Sequence, residues 1–133
     1  MEEKIHSQTQ TCRLVLQVAA LCLGHKFYGP LLREVMVHAC GLSEALFNAA
    51  MEEAEAAFLI EPCGEKQNVA MFFKFSHDKI QQTVATTVPV GDARRWLHLS
   101  AGRIMLASVD TFEEEGSELK STVKLLSAQN LTA

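Results

Sequence analysis

Apolar positions along this chain change period twice, and the changes divide it into segments. From residue 9 to residue 23, Leu14, Val18 and Leu21 form one helical stripe, and Leu16, Ala19, Ala20 and Leu23 fill most of the remaining surface. A helix apolar nearly all round belongs at the centre of a core. Gly24 is placed to end it. Gly29-Pro30 opens a second helix, with proline in the first turn where its missing N–H costs nothing. Its buried face is Leu31, Leu32, Val35, Met36 and Ala39, and Gly41 closes it. Ser43 is a natural N-cap for a third helix. Leu46, Phe47, Ala50, Met51, Ala54 and Ala57 line one side of that helix, and Glu44, Asn48, Glu52 and Glu55 the other.

The period then shortens. Phe58-Leu59-Ile60 is an apolar run ended by Pro62, residues 63–68 read as a turn, and Val69, Met71, Phe73 and Phe75 alternate as a strand does. Two strands around a loop predict a hairpin. Ser76 can cap a fourth helix over 77–88, with Ile80, Val84 and Val88 inward and Pro89 as its stop. The β-branched run Thr83–Val88 makes that helix dependent on tertiary packing. Asp92 can cap a fifth helix over 93–108, with Leu97, Ala101, Ile104 and Met105 inward. Residues 110–118 form an acidic linker expected to be mobile, and Leu119, Val123 and Leu126 suggest a marginal last helix.

The predicted fold class is therefore mostly α with a small β-hairpin, an α+β domain. Three helices followed by a hairpin is the order of a winged helix, an order that other small α+β domains share. The expected organisation is a frayed N-terminus (1–10), a three-helix and hairpin core (11–75), a helix pair (76–108), and a linker with a terminal helix (109–133).

Composition narrows the function classes. The chain is 133 residues long, 48% hydrophobic and 21% charged, which excludes wholesale disorder. Its formal charge of −4 argues against a general nucleic-acid binder. The third helix sharpens this: from Ser43 to Ala57 it holds Glu44, Glu52, Glu53 and Glu55 and no Lys or Arg. A DNA-reading helix needs cations against phosphate. Cys12, Cys22, Cys40 and Cys63 form no C-x-x-C pair, so no metal ligand set is expected, and a reduced, cytoplasmic setting is the expectation. The charged Met-Glu-Glu-Lys start is unlike a signal peptide, and the apolar stretch Leu14–Leu23 is too short to span a bilayer. No Gly-x-x-x-x-Gly-Lys-Ser/Thr, Gly-x-Ser-x-Gly or His-Glu-x-x-His occurs. No nucleophile–base set can be named, so no catalytic residue and no resident cofactor are expected.

One stretch carries chemistry. In Phe75-Ser76-His77-Asp78-Lys79-Ile80-Gln81-Gln82 a His-Asp pair sits where a strand hands over to a helix. A helix start presents free N–H groups and the positive end of a dipole, which Asp78 suits and beside which His77 could donate to an anion. A plain capping role for Asp78 and a packing role for His77 explain the same residues.

This stretch, Pro89, and then His98-Leu99-Ser100-Ala101-Gly102-Arg103 resemble a pattern of STAND-class AAA ATPases. These signalling proteins are fused to serine/threonine kinase, GAF or hybrid histidine kinase modules. The pattern reads aromatic-x-His-Asp-basic-aliphatic-Gln-Gln, a proline, then His-x-x-x-Gly-Arg, and lies behind the nucleotide-binding core. Leu16-Gln17-Val18-Ala19-Ala20-Leu21-Cys22-Leu23-Gly24-His25-Lys26-Phe27 is similar to a helix of the same family, so the resemblance covers residues 11–108. It implies a regulatory winged-helix module and no enzyme in this chain. His77 and Asp78 would be an ADP sensor, supported by Gln81, Gln82, His98 and Arg103. ADP or ATP would be met only through an attached nucleotide-binding domain. The implied partners are that domain and downstream helical repeats, with no nucleic acid and no membrane. The chain departs from the family at Ala85, usually aromatic, and at Thr87, usually a larger aliphatic. A DNA-binding winged helix and a stand-alone protein-interaction domain are the alternatives.

Overall fold

The computed structural model describes residues 2–63, 72–109 and 117–133. Helix α1 (Glu2–His6) precedes α2 (Gln10–Val18), which continues without a break as a π-helical turn over Ala19–Leu23. Strand β1 (Lys26–Tyr28) leads into α3 (Gly29–Cys40) and α4 (Glu44–Ala56). Strands β2 (Ile60–Cys63) and β3 (Phe72–Phe75) follow, then α5 (Asp78–Thr86), α6 (Asp92–Ser108) and α7 (Ser117–Leu131). The three strands form an antiparallel sheet in the order β1-β3-β2. The fold is mostly α with a small sheet, as the period changes predict.

The central helix is α2. Thr9 caps it, its hydroxyl accepting from Cys12 N–H at 3.2 Å. Cys12, Val15, Leu16, Val18, Ala19, Ala20, Cys22 and Leu23 are all buried. Around them pack Leu31, Leu32, Val35 and Met36 of α3, Phe47, Ala50, Met51 and Ala54 of α4, Phe27 and Phe75 of the sheet, and Ile80 and Val84 of α5. Each fully buried Leu, Val or Phe contributes about 1.5–3 kcal/mol, so the core is the main stabilising term.

Several boundaries differ from the sequence reading, each for a physical reason. Residues 26–28 are a strand, where the pattern shows only the gap between two helices. Lys26, Phe27 and Tyr28 pair with Lys74, Phe73 and Phe72. Phe58 is not in a strand. It terminates α4 with φ 59°, while Phe58 N–H bonds Glu55 O and Leu59 N–H bonds Ala54 O, both at 3.0 Å. This is a Schellman stop built on an aromatic where glycine is usual. Strand β2 then runs through Pro62, tolerated because β2 is an edge strand. The turn expected over 63–68, and Val69 and Met71, fall largely on residues 64–71, outside the described residues.

Leu46, expected inward, is 52% exposed at the start of α4. Ser76 does not cap α5; His77 occupies the N-cap position and makes no side-chain cap. That helix ends at Thr86 and not at 88 because the Thr83, Thr86 and Thr87 hydroxyls bond carbonyls of the preceding turn. Asp92 is the first residue of α6, with Gly91 at φ 139° before it. At the N-terminus, residues 2–6 are helical and Ile5 is buried, against the expectation of fraying.

The last helix is longer and better anchored than the sequence suggests. The linker residues 110–116 lie outside the described residues, but α7 packs along α6 with Val123, Ser127 and Asn130 buried. Gly102 permits the approach: a Cβ there would sit 2.9 Å from Leu131 Cγ and 3.2 Å from Asn130 Cβ. The Asn130 amide donates to Cys22 O and Leu126 O, each at 2.8 Å, so its oxygen is left facing His98 Nδ1 at 2.8 Å. That geometry places the proton of His98 on Nδ1.

Asn130→Leu should therefore leave the Cys22 carbonyl and His98 Nδ1 unpartnered inside the α6–α7 contact. A loss of roughly 2 kcal/mol is expected, read as a lower urea midpoint, the size for orphaned buried polar groups. An unchanged midpoint would mean that α7 does not depend on Asn130.

Candidate functional site

The corner where the sheet meets α5 is built from three turns of chain. Gly24, at φ 109°, redirects the end of α2 so that His25 precedes β1. Phe75 N–H bonds His25 O at 3.0 Å and Ser76 N–H bonds Leu59 O at 3.0 Å, so β3 is held between both neighbours up to its last residue. His77, with φ −145° and ψ 148°, is still extended; its carbonyl accepts from Ile80 N–H at 3.0 Å and begins α5.

His77 and Asp78 are both exposed at this corner. Asp78 is the acidic residue of the first turn of α5, where it complements the helix dipole. Its Oδ1 lies 3.1 Å from Nδ1 of His25, a side chain 38% exposed against 82% for Asp78. The approach is out of line for a hydrogen bond, and His25 Nδ1 has no hydrogen-bond partner. The contact is an ion pair when the imidazole is protonated, and at this exposure it contributes under about 1 kcal/mol. His25 is the residue that sequence reasoning missed, because nothing in the local pattern around Gly24 points to Asp78.

The other motif residues do not join this corner. Gln81 is part-buried and donates from Nε2 to Ala20 O at 3.2 Å, tying α5 to the end of the central helix. Gln82 is exposed. His98 serves the α7 contact through Asn130, and Arg103 is exposed on α6. The two departures have compensations: Ala85 packs on the core, and Thr87 Oγ1 receives the Gln17 amide at 3.0 Å. Arg94 covers the end of α5, its Nη2 donating to Ala85 O at 2.8 Å and Val88 O at 2.6 Å.

The acidic helix α4 is less uniform than its sequence suggests. Glu53 turns toward α2 and takes Thr9 N–H at 2.7 Å and the Thr9 hydroxyl at 2.9 Å, holding the start of the central helix. Glu44 sits 3.8 Å from Arg33 Nε. Glu52 remains exposed.

Among the described residues no group of three His, Cys, Asp or Glu could hold a metal ion. No helix among them is long and apolar enough to cross a membrane. The cysteines are free. Burial, with the charge and hydrogen bond of Glu53 adding to it, pushes the Cys12 thiol up to about 12. Burial, with Cys40 adding, does the same to Cys22, and burial alone raises Cys40. Such thiols are poor nucleophiles.

A thiol raised in the folded state binds its proton more tightly there than in the unfolded chain. Its contribution is whole below the unfolded value near 9 and is lost as pH rises from 9 toward about 12. The urea midpoint should fall over that window, and fall less steeply in a Cys12→Ala/Cys22→Ala variant. Equal slopes for the two chains would contradict the burial assignment.

Comparison with protein-family models, with curated proteins and with solved structures returns no match to this chain.

Proposed function

We propose that this chain is a non-catalytic regulatory module of winged-helix type, working beside the nucleotide-binding domain of a STAND-type signalling ATPase. The observation that carries the reading is the position of His77. It stands exposed at the N-cap position just before the first turn of α5, beside backbone N–H groups that no helix bond uses, on a corner that a second domain could cover. Three further features support it. The order helix, strand, two helices and two paired strands, with β1 adding to the sheet on β3, is consistent with a winged-helix reading. The chain carries no phosphate-binding loop of its own. Asp78 contacts His25, and His77 stands exposed beside it at the corner.

In this reading a phosphate of ADP, bound mainly by the neighbouring domain, takes a hydrogen bond from His77. A charge-assisted contact of that kind is worth roughly 1.5–3 kcal/mol, enough to bias a two-state switch about tenfold or more. Helices α6 and α7 carry the change onward to helical repeats. A cytoplasmic location belongs to the same proposal. DNA binding is disfavoured, because the exposed face of α4 presents Glu44 and Glu52 and no cation.

The isolated chain should hydrolyse no ATP, and titration calorimetry with Mg-ADP should give no micromolar binding. Joined behind a nucleotide-binding domain of this class, the chain should slow ADP release, and His77→Ala should remove most of that effect while circular dichroism stays unchanged. Micromolar ADP binding by the chain alone, or ADP release unaffected by His77→Ala, would overturn the reading.

A further inference from the structure

The N-terminal helix α1 is attached to the fold in a way that the His77 corner does not explain. Its backbone is satisfied locally. Ser7 N–H bonds Glu3 O at 2.9 Å and Gln8 N–H bonds Ile5 O at 3.2 Å. Ser7 Oγ and Gln8 Nε2 both donate to Lys4 O, at 2.8 and 2.9 Å. Among the described residues no hydrogen bond or ion pair joins residues 3–8 to any residue beyond Thr9. Two side chains hold the helix instead. Ile5 is 2% exposed and belongs to the core. Lys4 stands over the ring of Phe58, its Nζ 5.5 Å from the centroid.

Phe58 occupies its place at a cost. Among the described residues it is the one non-glycine residue with positive φ, a conformation that disfavours a bulky side chain. Its ring is 74% exposed, so burial does not offset the strain. The partner the ring does have is the Lys4 ammonium. The central helix, by contrast, does not rely on α1. Thr9 caps α2, and Glu53 of α4 takes the Thr9 N–H and hydroxyl at 2.7 and 2.9 Å. The chain is clamped at Thr9, and what precedes the clamp hangs on Ile5 and Lys4. A helix of five residues does not persist in water by itself, so α1 melts once Ile5 leaves its seat.

We infer that α1 is a releasable strap: it opens as one unit up to the Thr9–Glu53 clamp, baring the apolar seat of Ile5 and freeing the Phe58 ring, while α2 stays folded. Phe58 is then the strap's catch, which gives the strained, outward ring a purpose. The device switches the exposure of a small apolar surface without unfolding the domain, the kind of local opening that native proteins make well below their global stability. The inference does not depend on the His77 reading.

Native-state hydrogen exchange of the whole chain in low urea tests this. The Ser7 and Gln8 amides, bonded to Glu3 O and Ile5 O, report the strap, and the amides of Val15–Val18 report α2. Ser7 and Gln8 should exchange together, protected but insensitive to urea, because the opening exposes little surface, while the α2 amides follow urea steeply. Ile5→Ser should speed exchange at Ser7 and Gln8 by roughly tenfold or more, the factor for losing one buried aliphatic side chain, and leave the α2 amides unchanged relative to global stability. Phe58→Gly separates the catch from plain strain. Glycine suits the positive φ, so the urea midpoint should not fall, yet Ser7 and Gln8 should exchange roughly threefold faster for want of the ring beneath Lys4. Ser7 and Gln8 amides that are unprotected, that share the urea dependence of α2, or that do not respond to Phe58→Gly would each overturn the inference.

Discussion

The last carbonyls of a helix have no partners within it, and the carbonyls at the end of α2 have to be satisfied in the middle of the core. The widened turn at Ala19–Leu23 sends Gly24 N–H back to Ala19 O at 2.9 Å. Ala20 O and Cys22 O then accept side-chain amides from two different helices, Gln81 of α5 and Asn130 of α7. A buried carbonyl without a partner costs about 1–3 kcal/mol, so these two contacts are required by the helix at the centre of the core. They set both later helices against one fixed point.

The same rule recurs at other helix ends. Glu53 takes the free N–H of Thr9 before α2, and Arg94 takes carbonyls at the end of α5. In each case a polar side chain that looks like surface in the sequence is committed to a distant backbone group. On α4, one of the four glutamates therefore points to the start of the central helix and not to the helix's exposed face.

Legibility followed range. The buried faces of α2 and α3 could be read because helical period is a local signal, and Phe73 and Phe75 because strand alternation is. Strand β1 could not, since Lys26–Tyr28 is extended only by pairing with β3, far along the chain. Helix α7 looked marginal because its anchor, Asn130, bonds Cys22 across 108 positions. At the candidate site, His77 and Asp78 were legible from the strand-to-helix handover. His25 was not, because its approach to Asp78 exists only after the sheet has brought the end of α2 beside the start of α5. Gln81 and His98, singled out with them by motif, turned out to hold helices together.

That division of labour within one motif has a mechanical consequence. Gln81 N–H bonds His77 O, and the Gln81 side chain bonds Ala20 O, so the backbone of His77 is one turn from a contact with the core. On its other side Phe75, wholly buried, fixes the end of β3. The imidazole therefore projects from a segment pinned at both ends, and little backbone entropy is left to lose when something covers the corner. Gln81, although it faces inward, determines where His77 can be. A sensor built this way would transmit through α5 to the carbonyl it shares with the core, and the neighbouring carbonyl at that same helix end is where α7 is tied.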